Sequence, residues 1–156
     1  MRVGIGYDVH PFTEGRTLVL GGVRIDHHTG LGGHSDADVL THAVIDALLG
    51  AACLGDIGTH FPAGDARYKD ASSLEMLSST VDALAQAGFR VANVDCTVIA
   101  EEPRLSQHLP GMRAALAERL GTPNVNVKGK SPEGIGALGH AAGIAAQAVA
   151  AVEEVS

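Results

Sequence analysis

Met1-Arg2-Val3-Gly4-Ile5-Gly6-Tyr7-Asp8-Val9-His10 opens the chain. From Met1 to Tyr7 aliphatic residues alternate loosely with glycine or polar ones, which is the period of a strand, so a first strand is predicted to deliver Asp8 and His10 at its end. Residues two apart on a strand project the same way, and these two side chains can therefore reach one ion from one edge of a site. Next come two short strands, Leu18-Val19-Leu20 and Val23-Arg24-Ile25, joined through Gly21-Gly22. Paired glycines tolerate the positive φ of a tight turn, so a hairpin is expected there.

Further out, His27 to Gly33 is rich in His and Gly and reads as a mobile loop. Asp36 or Asp38 can cap a helix from about Val39 to Cys53, with Leu40, Val44, Leu48 and Ala51 near one stripe and Gly55 ending it. His42 lies four residues after Asp38 and four before Asp46, so the three can share a helical face. Residues 55–70 lack sustained periodicity and suit a surface loop lining a site. Ser72-Ser73-Leu74-Glu75 is a capping-box pattern opening a second helix, and Gly88 supplies its stop.

Val91 to Ala100 is predicted as a strand with Val94, Cys96 and Val98 on one face. A helix from about Pro110 to Leu120, stopped by Gly121 and Pro123, and a strand over Asn124 to Lys128 follow. Lys130 to Gly139 is expected to be irregular, and the Ala-rich stretch from His140 to Val155 is assigned to a final helix. The order strand, hairpin, helix, helix, strand, helix, strand, helix predicts an α+β fold in one domain over 1–156. Its mixed β-sheet is covered by helices on one face, and its other, apolar face needs a cover that oligomerisation would supply.

Composition narrows the function. Hydrophobic residues form 46% of 156, with no Trp, two Tyr and three Phe, so an aliphatic core is available. Eleven Lys+Arg against eighteen Asp+Glu give a formal charge of -7, which argues against a nucleic-acid footprint but leaves a phosphate-bearing small ligand open. Cys53 and Cys96 form no Cys-x-x-Cys pair and are expected to be free, mostly buried thiols in a reducing compartment. With no targeting segment and no long uncharged apolar run, the sequence predicts a soluble, cytoplasmic protein without membrane contact.

Asp8, His10 and His42 can hold a zinc ion with one position open, the composition of a catalytic rather than a structural site. Their spacing alone is shared with histidines that cap helices, hydrogen-bond or face solvent. His34-Ser35-Asp36 can grip a phosphate or merely cap a helix, and Asp56-Ile57-Gly58 can hold a polyol or form an ordinary Asp/Gly turn. Glu101-Glu102-Pro103-Arg104 and Lys128-Gly129-Lys130-Ser131-Pro132-Glu133 each follow a predicted strand and can meet at one sheet end, reading a base edge or binding phosphate, with Glu133 suited to a hard cation. No Walker A or Rossmann glycine pattern is present, which weighs against an ATPase or dehydrogenase.

Taken in order, GYDVH at 6–10, LGGVRI at 20–25, GGHSDADVLTHAVIDALLGAACLGDIGTHFP at 32–62, NVDCTVIAEEPRL at 93–105 and NVNVKGKSPEGIGALG at 124–139 closely resemble the 2-C-methyl-D-erythritol 2,4-cyclodiphosphate synthase family, over nearly the whole chain. The resemblance implies a phosphorus-oxygen lyase of non-mevalonate isoprenoid biosynthesis. It would convert 4-diphosphocytidyl-2-C-methyl-D-erythritol 2-phosphate to the 2,4-cyclodiphosphate and release CMP. It assigns Asp8, His10 and His42 to Zn²⁺, and Glu133 to Mg²⁺ or Mn²⁺.

By the same resemblance, His34 and Ser35 meet the diphosphate in a mobile loop, and Asp56, Ile57, Gly58, Phe61 and Asp65 border the erythritol. Ala100 through Ser106, including Pro103, Arg104 and Leu105, match the cytidine-side loop, with Lys130, Ser131 and Glu133 opposite. His34 and Ser131 are the candidates for hydrogen bonds that strengthen in the transition state, Ser131 standing where the family often has Thr. Asp8 and His10 are placed among the substrate-binding residues as well as the zinc ligands.

A homotrimer with active sites between subunits is also implied, the zinc ligands of one subunit facing cytidine loops of its neighbour. Ala63 departs from a frequent Asp. Ala137 and His140 depart from a Phe and an Arg near the expected three-fold axis, which weighs against an isoprenoid phosphate in a central channel. Without the resemblance, the Asp-His-His set equally permits a phosphoesterase acting through metal-bound water, or a nucleotide-binding oligomer with a structural metal.

Overall fold

A computed structural model describes residues 1–155; Ser156, the last residue of the expected domain, lies outside the described residues. The elements run β1 (Arg2–Thr13), β2 (Leu18–Leu20), β3 (Val23–Ile25), β4 (Gly30–Leu31), α1 (Val39–Ala52), α2 (Ile57–His60), a 3₁₀ turn (Ala66–Tyr68), α3 (Ser73–Gln86), β5 (Phe89–Ile99), α4 (Leu109–Leu120), β6 (Val125–Lys130), α5 (Gly136–Gly139) and β7 (Gly143–Glu154). A five-stranded sheet in the order β4-β1-β7-β5-β6 carries the molecule, and β2 pairs with β3 as a separate hairpin. β5 and β6 are parallel and the other neighbours antiparallel, so the sheet is mixed as expected.

One predicted element changes class. His140 to Val155 was expected to be helical, yet Gly143–Glu154 is the central strand, paired with β1 on one side and β5 on the other. Alanine favours a helix by only about 0.5 kcal/mol per residue over ordinary residues, and a strand flanked on both sides satisfies its backbone groups just as fully. Side-chain size decides between them. Ile144, Ala146, Ala148, Ala150 and Val152 are all buried, while Gln147 and Val149 face outward. The small residues of the inner row let α1 lie close against the sheet.

β1 is also longer than predicted, so Asp8 and His10 sit within the strand rather than at its end. Its glycines explain the fit of α1. A Cβ on Gly6 or Gly4 would collide with the carbonyl oxygens of Ala43 and Ala47, respectively. Even-numbered residues of β1 therefore face the helix, and at Asp8 and His10 the same face passes from helix contact into a cleft.

The hairpin turn and the α1 cap, predicted separately, are one structure. Gly21 and Gly22 have φ of +55° and +75°, and both N–H groups donate to the Asp38 carboxylate at 2.8 Å. Asp38 also caps α1 by accepting from Thr41 N at 3.0 Å and Thr41 Oγ1 at 2.7 Å. Burial pushes the Asp38 carboxyl upward, and these donors oppose that shift.

The α3 cap differs from the pattern read in sequence. Ser72 makes no side-chain cap bond; Asp36 instead accepts from Ser73 N at 3.0 Å and from the Ser73 hydroxyl. Of the two thiols, Cys96 is buried but Cys53 is exposed, because it terminates α1 in the left-handed region at φ 57°. Among the described residues no helix is long and apolar enough to cross a membrane.

Candidate active site

Asp8 and His10 project from β1 toward His42 in the first turn of α1. Asp8 Oδ2 lies 2.9 Å from His10 Nε2 and 3.1 Å from His42 Nδ1, and the two nitrogens are 3.2 Å apart. Ligands at ~2.0–2.1 Å from a tetrahedral ion stand about 3.3 Å from one another, so the triangle has the dimensions of one face of a zinc polyhedron.

Its outer contacts orient the ligands. His10 Nδ1 donates to the Gly32 carbonyl at 2.7 Å, which turns Nε2 toward the triangle. On the far side of the His42 ring, Nε2 lies 2.9 Å from Ser73 Oγ and 3.1 Å from Ser35 Oγ. Since Ser73 donates to Asp36, a carboxylate–hydroxyl–imidazole chain stands behind the ligand atom.

Charge follows the geometry. Burial raises the Asp8 carboxyl, but hydrogen bonds and charge from His10 and His42 overcome it and hold the group well below the usual carboxylate range. Burial lowers His10, and its bond to Asp8, the Asp8 charge and the Gly32 carbonyl outweigh that, for a net upward shift. Asp8 is therefore ionised at neutral pH and available as a ligand.

The triangle opens into a cleft of about 250 Å³ bordered by His34, Ser35, Ile57, Gly58, Phe61, Ala63, Tyr68 and Met76. His34 Nε2 donates to the Asp65 carbonyl at 3.0 Å, and Ser35 is buried. The segment around them is tied to the chain before α3: Asp70 N donates to His34 O at 2.9 Å and Asp36 N to Ala71 O at 3.0 Å. The Arg16 guanidinium adds bonds to Gly33 O at 3.2 Å and Ser35 O at 2.5 Å.

Other predicted residues stand less directly in this cleft. The Asp56 carboxylate caps α2, accepting from Thr59 N at 2.8 Å and Thr59 Oγ1 at 2.7 Å. The Asp65 side chain is engaged by Arg67, whose bidentate contact draws its carboxyl down to about 2. Ala63 presents a methyl group to the cleft.

Ala100, Pro103, Arg104, Leu105, Ser106, Lys130 and Ser131 line a second cavity of about 300 Å³, together with Glu101, Leu109 and Gly129. The two predicted loops thus do meet at one sheet end. Ser131 Oγ donates to Glu101 Oε2 at 3.3 Å and accepts from Glu133 N at 2.9 Å. Glu133 is exposed beside this cavity with φ 56° and does not line it. Val9 pairs with Ala145, which pairs with Ile99, which pairs with Lys130, so cleft and cavity open at the same end of the sheet.

Sequence reasoning singles out neither Tyr68 nor Met76, and reads Ser73 only as part of a helix cap. Asp36 was marked only as part of a turn or cap. No local pattern links Ser73 to His42, 31 residues away.

A carboxylate and two imidazoles converging at the mouth of a cleft form a candidate divalent-metal site facing a ligand-sized cavity. The chain belongs to the YgbB family, whose model matches residues 1–153. It is 56% identical over 156 residues to the 2-C-methyl-D-erythritol 2,4-cyclodiphosphate synthase of Syntrophomonas wolfei, covering 99% of each chain. The synthase of the same name from Gloeobacter violaceus is 52% identical over 156 residues, with 99% of this chain and 96% of that one covered.

Among solved structures, the chain matches the bifunctional IspDF of Campylobacter jejuni with a TM-score of 0.95 and 38% identity, covering 99% of this chain and 42% of that longer one. It matches the CDP complex of IspF from Plasmodium falciparum with a TM-score of 0.86 and 31% identity, covering 99% and 97%.

Proposed function

We propose that the chain converts 4-diphosphocytidyl-2-C-methyl-D-erythritol 2-phosphate into 2-C-methyl-D-erythritol 2,4-cyclodiphosphate and CMP, as a phosphorus-oxygen lyase of non-mevalonate isoprenoid biosynthesis. The observation that carries this reading is the Asp8-His10-His42 triangle opening at the same sheet end as a cavity walled by Arg104 and Lys130. Full-length similarity to synthases of that name supports it.

In the reaction an oxygen of the 2-phosphate attacks the β-phosphorus, a new P–O bond closes the ring, and the bond to the α-phosphate oxygen breaks to release CMP. Nucleophile and electrophile belong to one molecule, so no side-chain nucleophile, water or ATP is consumed. What remains for the protein is to fold the substrate into line and offset phosphate repulsion. Asp8, His10 and His42 would hold Zn²⁺, and Glu133 would help hold Mg²⁺ or Mn²⁺; bound there, the ions supply Lewis-acid polarisation and charge neutralisation.

The chain's own residues do the rest. His34, Ser35 and Ser131 donate to phosphate oxygens, and His34 and Ser131 gain most as charge develops. Ile57, Gly58 and Phe61 enclose the methylerythritol, and Asp56 and Asp65 accept from its hydroxyls. Ala100, Pro103, Arg104, Leu105, Ser106 and Lys130 hold the cytidine side.

The cleft is completed in a homotrimer, the cytidine loops of one subunit facing the metal ligands of the next. Supporting this is the open sheet face, where Val3, Ile5, Tyr7, Val9 and Val149 are 45–73% exposed.

Product analysis of the purified protein with Zn²⁺ and Mg²⁺ tests the reaction. CMP with a cyclic diphosphate is expected. An open phosphorylated polyol would mean hydrolysis by metal-bound water, and nucleotide binding without turnover would mean a binding protein. His42→Ala is expected to lower zinc retention and CMP release together, by about 100-fold in rate; unchanged turnover would remove His42 from the metal site.

A further inference from the structure

Away from this cleft, His27, His28 and Glu102 each offer a ligand atom within 4.8 Å of the other two. They come from segments distant in sequence, the connection between β3 and β4 and the turn that follows β5. His27 is well placed by its surroundings. Its side chain is 8% exposed, and its ring lies 5.2 Å from that of Phe12 and 4.3 Å from that of His28.

His27 Nδ1 lies 2.9 Å from the Thr29 carbonyl oxygen, 3.2 Å from Thr29 Oγ1 and 3.4 Å from Thr29 N. A carbonyl can only accept, so the shortest of these contacts makes Nδ1 the donor over the longer approach of Thr29 N. That bond places the proton on Nδ1 and leaves the Nε2 lone pair on the side of Glu102. The gap from Nε2 to Glu102 Oε1 is 3.6 Å. This is too long for a hydrogen bond, and it is close to the distance of about 3.3 Å between two ligands of one ion with ~2.0–2.1 Å bonds. A ligating histidine whose second nitrogen donates to a backbone carbonyl is the common arrangement around protein-bound transition metals.

We propose that His27, His28 and Glu102 form a second site for a divalent transition metal, separate from Asp8, His10 and His42. Two imidazoles and one carboxylate suit Zn²⁺ and its neighbours better than Mg²⁺ or Ca²⁺, which prefer all-oxygen shells. The site is the weaker of the two. His28 and Glu102 are exposed, so binding must order both side chains, whereas the Asp8 triangle is already held by buried partners.

A bound ion would join the β3–β4 connection to Glu102, whose chain neighbours Glu101 and Pro103 wall the cavity at the end of β5. Bracing of a nucleotide-side wall rests on the functional reading above. Binding of the ion does not.

The test uses the full chain, freed of metal by a chelator, dialysed, and titrated with Zn²⁺ alone against a chromophoric competitor. Two equivalents per chain are expected, the second in the micromolar range. His42→Ala should remove the tight one. His28→Asn and Glu102→Gln should each weaken the second by about tenfold or more and spare the tight one. Both positions are on the surface, and an unchanged metal-free melting temperature establishes that each variant is folded.

Uptake of a single equivalent by the unsubstituted chain overturns the proposal, as does an unweakened second equivalent in both variants. The two readings fail separately. One equivalent with full CMP release sinks the second site alone, and two equivalents without CMP sink the cyclase reading alone.

Discussion

On the helix-facing side of β1 the residues are Gly4, Gly6, Asp8 and His10; on the opposite side stand Val3, Ile5, Tyr7 and Val9, between 47 and 73% exposed. The first set is specified entirely by contacts within the chain. Its glycines admit α1, and where the helix begins the same face supplies Asp8 and His10, two candidate metal ligands, to the cleft. The second set has no cover in the chain, although burying one such side chain fully would contribute about 1.5–3 kcal/mol. One strand thus carries two kinds of information, the inner face deciding the fold and the geometry of the Asp8-His10-His42 cluster and the outer face calling for a neighbour.

The sharpest way to break this contrast is Gly6→Val. With the Ala43 carbonyl in the way of any side chain, the substitution should separate α1 from β1, cost about 4 kcal/mol or more and abolish cooperative unfolding. A folded variant within about 1 kcal/mol of the parent would mean that the close approach is dispensable.

Next in size is Asp38→Ala. It leaves the N–H groups of Gly21, Gly22 and Thr41 without their acceptor, and a loss of about 3 kcal/mol in denaturant unfolding is expected. A loss under about 1 kcal/mol would show that water replaces the carboxylate there.

On the outer face the same size of chemical change should do little to the chain itself. Ile5 is 73% exposed, so Ile5→Glu should shift subunit stability by no more than about 0.5 kcal/mol. Sedimentation should nevertheless register loss of the proposed trimer, together with loss of CMP release. A variant that still assembles would show that this face is not the subunit contact.

Cysteine chemistry gives the smallest effect. Burial pushes the Cys96 thiol from 9.0 up to about 12, while Cys53 is exposed. Native protein at pH 8 should therefore lose one thiol per chain to an alkylating reagent, with Cys96 protected. Because the folded state holds the Cys96 proton more tightly than the unfolded state, its contribution to stability is complete below pH 9.0 and declines as pH rises toward about 12. Cys96→Ala should flatten that decline, and an identical alkaline profile would remove Cys96 as its source.

How much of this was legible in the sequence varied with how local the cause was. α1 was legible because Asp38 caps it and its apolar stripe repeats at the helical period, both within a few residues of the element. β7 was not, because alanine suits either state and the deciding partners, β1 and β5, lie far away in the chain. The alternation from Ile144 to Val152 was present but masked by alanines on both faces of the strand.

At the site, the order of GYDVH and HSDAD carried Asp8, His10 and His42 by resemblance. The Ser73–Asp36 support behind His42 had no such signal, since Ser73 belongs to what reads locally as a helix cap.

By itself the sequence determined which chemistry was available: one carboxylate and two imidazoles in motifs of a known order, a capped apolar helix, and glycines spaced along the first strand. Only the tertiary structure decided that Asp8 and His42, 34 residues apart, stand 3.1 Å from each other. It also decided that a helix-forming composition would run as the central strand. Both outcomes depend on contacts between distant segments, whose free energy outweighs local propensities of a few tenths of a kcal/mol, roughly.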